Sequence, residues 1–213
     1  MMLFLRYESF RGYLRAYPGT VVLIALNVIY FIIIALNGDP NDGETAVRMG
    51  GFLTVPGIDP FGMEEPWRYI SSLFMHASLN HLFFNMFALL VFAPPLEYLL
   101  RTTRYLILYM LCGVGGNLLA AAVAVLKGDE YHLSVGASGA IYGVYGAYLF
   151  IALLRKSLLD ASSRKTVYII LAFGVVYSFL TPQVDVWGHV GGALTGFLLY
   201  VVVERKKAWR SGH

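Results

Sequence analysis

Apolar residues fall in long blocks along this chain, and charged residues gather between the blocks. "VVLIALNVIYFIIIAL" and "LLAAAVAVL" contain no charged side chain. A run of about 20 apolar residues suits a helix crossing a hydrocarbon core about 30 Å thick. The pattern predicts six spans, at about 20–36, 79–100, 105–126, 136–154, 166–180 and 187–203. The expected fold class is therefore all-α: a polytopic membrane bundle of six transmembrane helices in one domain, about 19–204. The segment 38–78 is rich in glycine, proline and acidic residues. It is too long for a plain connector and is expected to carry structure of its own. Residues 1–18, with three arginines among scattered apolar residues, predict a cytoplasmic segment and a short amphipathic surface helix. Residues 205–213 form a basic tail. No small-residue cleavage site follows the first apolar run, which is read as a retained span.

Composition supports a lipid solvent. Of 213 residues, 58% are hydrophobic and 14% charged, where a soluble domain carries about a quarter. Cys112 is the only cysteine, so no internal disulfide forms, and a buried, inert thiol is expected. The net charge of +3 comes without a basic block interleaved with aromatics, so nothing points to nucleic acid.

The basic residues instead report orientation. Arg6, Arg11, Arg15, Arg101, Arg104, Arg155, Lys156, Arg164, Lys165, Arg205, Lys206, Lys207 and Arg210 fall on one side of the predicted spans. Only Arg48, Arg68 and Lys127 fall on the other. This asymmetry predicts both termini in the cytoplasm. Acidic residues run the opposite way, with Asp42, Glu65, Asp129 and Asp185 among those outside. Every even-numbered span then enters from the outer side.

That constraint brings polar residues to one depth. "HASLNHLFFNMF" places His76, His81 and Asn85 near the outer end of span two. "VGASGAIYG" places Ser138 at the outer end of span four, and "VWGHVGGALTGF" places His189 at that of span six. Intramembrane polar residues usually face a bundle interior or a watery cavity. His81 and Asn85, four apart, share a helix face. Gly188, Gly192 and Gly196 form a ridge without side chains, and Gly139 and Gly143 repeat the spacing on span four. Such faces let helix backbones approach closely, which would bring His189 toward Ser138. A histidine in hydrogen-bond reach makes a serine usable as a nucleophile. The helix N-terminus at Ser138 favours developing negative charge, and His81 and Asn85 would add donors. No acidic third member is evident inside the spans, so the pair reads as a dyad.

These stretches resemble the rhomboid family of intramembrane serine proteases over most of the chain. "GASG" around Ser138, with Tyr142 one turn later, resembles the family's nucleophile motif. "HASLNHLFFN" is similar to its paired histidines followed by asparagine, and "GHVGGALTG" to its final-helix motif. "EEPWRYISSLFMHAS" resembles its first-loop stretch, here with Trp67 and Arg68. The resemblance implies that Ser138 attacks the scissile carbonyl and His189 acts as general base, then general acid. It implies an oxyanion hole of His81, Asn85 and the Ser138 backbone N–H, and Tyr142 packed on the His189 ring. Gly136, Gly192 and Gly196 would support the site, and Trp67 and Arg68 would lie in a loop scaffold partly in the outer leaflet. Substrates would be transmembrane proteins cut near their outer ends, with membrane lipids as the other partner and neither cofactor nor metal.

Two departures from the family pattern carry expectations. Gly188 stands where alanine is common, which should only loosen packing. Pro94-Pro95 near the inner end of span two predicts a kink or an early helix end. Elsewhere plainer roles are expected. His76 would bond a loop carbonyl, His132 would be a solvated loop residue, and His213 belongs to the tail. Ser134 would serve as a cap, Asn117 would bond across helices, and Trp187 would anchor at the interface. Two other functions fit part of the pattern: a catalytically inactive client-binding relative, and a metal site or transporter built on His76, His81 and His189. The presence of both Ser138 and His189 weighs against the first. The lack of an H-E-x-x-H motif or an intramembrane acidic relay weighs against the second.

Overall fold

A computed structural model describes residues 8–181 and 184–204. Arg6, the basic tail and His213 lie outside the described residues. A short helix α1 (Phe10–Ala16) with no buried residue leads into α2 (Pro18–Asn37). Pro18 opens α2, where a missing N–H costs nothing. The next N–H groups are satisfied by a carboxylate from another helix. Glu97, 1% exposed, accepts from Gly19 N and Thr20 N, both at 2.8 Å, and from the hydroxyls of Thr20 and Thr102 at 2.7 and 2.8 Å. An anion at a helix N-terminus is favoured by the dipole as well as by the donors.

Residues 38–78 contain α3 (Gly43–Arg48), β1 (Phe52–Thr54), α4 (Arg68–Ser71) and a 3-10 turn at Ser72–Phe74. Then comes α5 (Leu79–Leu100), capped by Ser78 Oγ, which accepts from His81 N. Pro94 and Pro95 lie inside this helix, which neither ends nor breaks there. The early end expected from the sequence is corrected by the surroundings. Both prolines are buried, and the Leu90 carbonyl, which Pro94 leaves without its helical partner, accepts from the Tyr13 hydroxyl at 3.1 Å.

Helix α6 (Thr102–Lys127) stops at Gly128, whose φ of +72° forms a left-handed cap. A short strand β2 (His132–Ser134) then pairs antiparallel with β1, matching Phe52 to Ser134 and Thr54 to His132. The two-stranded sheet ties the long segment to the connector that enters α7 (Ser138–Leu154). Two further helices follow, α8 (Ala161–Leu180) and α9 (Val186–Val203).

Helix α7 is the centre of the bundle. Eleven of its 17 residues are buried, among them Ala140, Val144, Tyr148 and Ile151. They join Leu89, Leu96, Tyr105, Leu108 and Cys112 in the main core. Around this core the outer faces stay apolar: Phe83, Phe87, Ile169, Phe173, Leu194 and Leu198 are all exposed. Apolar surface this continuous belongs in lipid. Among the described residues five helices, α2, α5, α6, α8 and α9, are long and apolar enough to cross a membrane. At 17 residues α7 is about 26 Å long, short of the hydrocarbon thickness. Burial by its neighbours, rather than lipid, surrounds it. Helix α8 is the opposite case, with only Ser163, Val167, Gly174 and Ser178 buried, one narrow stripe.

Candidate active site

The site is assembled by backbone contact. A Cβ at Gly192 would overlap the Gly139 carbonyl, and one at Gly196 the Gly143 carbonyl. On the other flank, a Cβ at Gly116 of α6 would stand 2.6 Å from the Gly188 carbonyl, and one at Gly191 2.6 Å from that of Gly115. Helix α9 is therefore wedged between α7 and α6, closer than any side chain permits. The α7 face was legible as a glycine ridge; the equally close α6 face, through "GVGG", was not anticipated.

This wedge sets the histidine. His189 is 6% exposed. Its ring stacks on Tyr142, with centroids 3.9 Å apart and planes 10° from parallel. Tyr142 lies one turn after Ser138 on α7, so both side chains rise from the same helix face. His189 Nδ1 lies 2.8 Å from Ser178 Oγ of α8. No hydrogen bond joins Ser138 Oγ to His189 among the described residues. Such bonds are often long or unmade without substrate.

Ser138 is the first residue of α7 and is partly buried. No side chain caps this helix, whose N-cap is Ala137, so the first-turn N–H groups point out of its end. Just before it, Gly136 has a φ of +130° and donates its N–H to the Ser72 carbonyl at 2.9 Å. A Cβ there would stand 2.9 Å from His81 Nε2 and 3.6 Å from Ser138 Oγ. The His81 ring and the Ser138 hydroxyl thus flank the same point of bare backbone. Only glycine fits both the conformation and the space.

Asn85 is buried, and its Nδ2 donates to the His81 carbonyl at 3.0 Å. One N–H of the amide is used within its own helix, and the second remains. His76 is buried with its ring 4.9 Å from that of His81, edge to face. Neither of its ring nitrogens makes a well-formed hydrogen bond among the described residues, and the expected loop partner is the nearby Phe74 backbone, which acts on the ring more weakly than burial or His81 does. Burial, then the neighbouring His81, push its pKa down to about 3.

The loop residues brace this centre from outside. Arg68 is 7% exposed and pairs with Glu65 at 2.7 Å. It also donates to the carbonyls of Val47 and Gly51 at 2.6 and 3.0 Å. One guanidinium therefore ties α4 to α3 and to the residue just before β1. Its carbon lies 4.7 Å from the ring centroid of Trp67, which is itself half-exposed. Asn117 of α6 bonds Ser72 Oγ at 3.1 Å, holding the 3-10 turn that receives Gly136.

Three expectations need correction. Gly188 does more than loosen packing. A Cβ there would stand 2.6 Å from Asp185 Oδ2, the carboxylate that caps α9 by accepting from Gly188 N at 2.8 Å. His132 is no solvated loop residue: it sits in β2, and its Nε2 is 3.3 Å from Asp185 Oδ2. Burial alone raises the Asp185 carboxyl, but His132, the Gly188 N–H and Ser134 together hold it below the usual range. Ser134 ends β2 rather than capping α7.

Ser178 was missed altogether. Its only sequence signal is a pair of small residues, Gly174 and Ser178, four apart in an otherwise bulky helix.

The fold defines a multi-pass membrane protein, and its polar centre gathers serine, histidine and asparagine side chains inside an apolar bundle. Comparison with known proteins gives the family. Residues 63–206 match the Rhomboid domain. The chain is 32% identical over 212 residues to YdcA of Bacillus subtilis, named as a candidate rhomboid protease, covering 98% of this chain and 100% of that one. It is 28% identical over 193 residues to the rhomboid protease GluP of the same organism, covering 91% of this chain and 36% of GluP. With RHOMBOID-like protein 2 of Arabidopsis thaliana it shares 34% identity over 151 residues, 69% of this chain and 46% of that one. The chain spans all of the first relative and less than half of the other two. It belongs to the rhomboid family, and the coarse activity that goes with these relatives is that of a membrane protease.

Proposed function

We propose that the protein is an intramembrane serine endopeptidase using Ser138 and His189. Ser138 Oγ attacks the scissile carbonyl as His189 Nε2 takes its proton. The tetrahedral oxyanion is met by the Ser138 N–H at the bare end of α7, by the His81 ring and by the free N–H of Asn85. His189 then protonates the leaving amine, and water hydrolyses the acyl-enzyme by the same route in reverse. Gly136 keeps His81 and Ser138 close, Tyr142 holds the His189 ring flat, and Gly192 and Gly196 hold α9 against α7. Trp67 and Arg68 serve the loop scaffold.

The six apolar helices, α7 among them, serve as the transmembrane spans. The termini lie in the cytoplasm, and the site opens to the outer side. The short α7 then places Ser138 below the outer surface rather than at it. Substrates are transmembrane proteins embedded in the same lipid, cut near their outer ends. A helical peptide bond is shielded and hydrogen-bonded, so substrates with helix-breaking residues near that end are favoured.

The observation that most supports this reading is the His189 ring. It is stacked on Tyr142, one turn from Ser138, and anchored through Nδ1, which leaves Nε2 for the reaction. The test is cleavage in proteoliposomes of single-span proteins carrying glycine or proline near the outer end. The reading expects cuts near that end by the wild type and none by Ser138→Ala. Equal cleavage by both would overturn it.

A further inference from the structure

Ser178 is one of four buried residues of α8, and its hydroxyl touches three groups. Oγ lies 2.8 Å from the Gly174 carbonyl, 3.0 Å from the Tyr142 hydroxyl and 2.8 Å from His189 Nδ1. A serine hydroxyl has one proton and two lone pairs. The Gly174 carbonyl has no proton to give, so that contact takes the serine's own. Both lone pairs are then left to accept, one from the Tyr142 hydroxyl and one from His189 Nδ1. The count closes with every position used, and it closes only if Nδ1 carries a proton.

A neutral imidazole carries a single N–H. With the proton on Nδ1, the free lone pair sits on Nε2, which has no hydrogen-bond partner among the described residues. The reverse arrangement has Ser178 donating to Nδ1. It leaves the Gly174 carbonyl without this donor and puts a proton on Nε2, where a base is needed.

We propose that Ser178 is a positioning residue that selects the Nδ1–H tautomer of His189. It fills, with a neutral hydroxyl, the place an acidic residue holds in a triad. The dyad read from the sequence becomes a chain of four groups on three helices: Gly174 and Ser178 on α8, His189 on α9, and Tyr142 on α7. The base is carried by α9, but its protonation state is set by α8, the helix with the narrowest buried stripe. The catalytic consequence rests on the protease reading; the tautomer assignment does not.

The experiment is ¹⁵N NMR of the full chain in detergent micelles with selectively labelled histidine. His189 is assigned by the signals lost in His189→Ala. The wild type is expected to show a protonated Nδ1 and an unprotonated Nε2. In Ser178→Ala both tautomers should appear, and phosphonylation of Ser138 by a fluorophosphonate should slow roughly three- to tenfold, the worth of one neutral hydrogen bond. Ser178→Thr, which keeps the hydroxyl, should restore both readouts. A wild-type spectrum with the proton on Nε2 would overturn the proposal without any variant having to fold, as would an unchanged spectrum in folded Ser178→Ala. If wild-type Ser138 resists the probe while the tautomer still follows Ser178, the assignment stands and the protease reading fails.

Discussion

At the residue scale, the site is a set of groups whose protons are placed by burial and by neighbours. Ser138, His189, His81 and Asn85 stood out in the sequence because their residue types fall near the ends of predicted spans, and the proposed site is built on them. Ser178 was not. Its contact with His189 crosses the α8–α9 connector and depends on the rotation of α8, which no periodicity in "VYSFLTP" reveals. His132 and Asp185 were hidden for a similar reason, since they meet only because β2 pairs with β1 beside the start of α9. His76 gives a prediction at this scale. Its pKa is depressed in the folded state, so the unfolded chain takes a proton near pH 6.5 while the folded chain resists until about pH 3. Stability should therefore fall as pH drops through that window. Thermal unfolding in detergent at a series of pH values should show this slope in the wild type and a shallower one in His76→Phe. Equal slopes would place the acid sensitivity elsewhere.

At the element scale, glycine decides how α9 is held. The ridge at Gly188, Gly192 and Gly196 could be read from spacing alone, because four-residue repeats of small residues have one packing consequence. Its second use, against α6, could not, since "GVGG" does not say which helix it meets. Helix ends were legible within about five residues, and of the kink or early end expected at the proline pair the early end is absent, one freed carbonyl there being met by a tyrosine from a distant helix. Gly196→Leu should be severe: the contact is a backbone carbonyl, which has no rotamer to yield. The expected loss is about 3 kcal/mol or more of unfolding free energy. Chemical denaturation in micelles would measure it, and a near-neutral result would mean that α7 and α9 are less tightly joined than described.

At the scale of the whole molecule, an apolar exterior encloses a polar centre, and orientation decides to which side that centre opens. The basic-residue asymmetry is a matter of counting along the sequence and not of packing. It makes a prediction that the single cysteine simplifies. Cys112 is fully buried, so background thiol labelling should be low. Asp129→Cys should react with an impermeant maleimide added to intact cells, and Lys156→Cys should react only after the membrane is opened. The opposite pattern would invert the proposed topology and move the site to the cytoplasmic side.

The central claim is that Ser138 is a nucleophile activated by His189, and it can be tested without knowing a substrate. The purified wild type would be treated with a serine-directed fluorophosphonate, and the adduct located by mass spectrometry. Attack forms an Oγ–phosphorus bond and expels fluoride, with the serine proton passing to His189. The account predicts one adduct, on Ser138, that is lost in a folded His189→Ala protein. An adduct that persists unchanged without His189, or a folded wild type that never reacts, would contradict it.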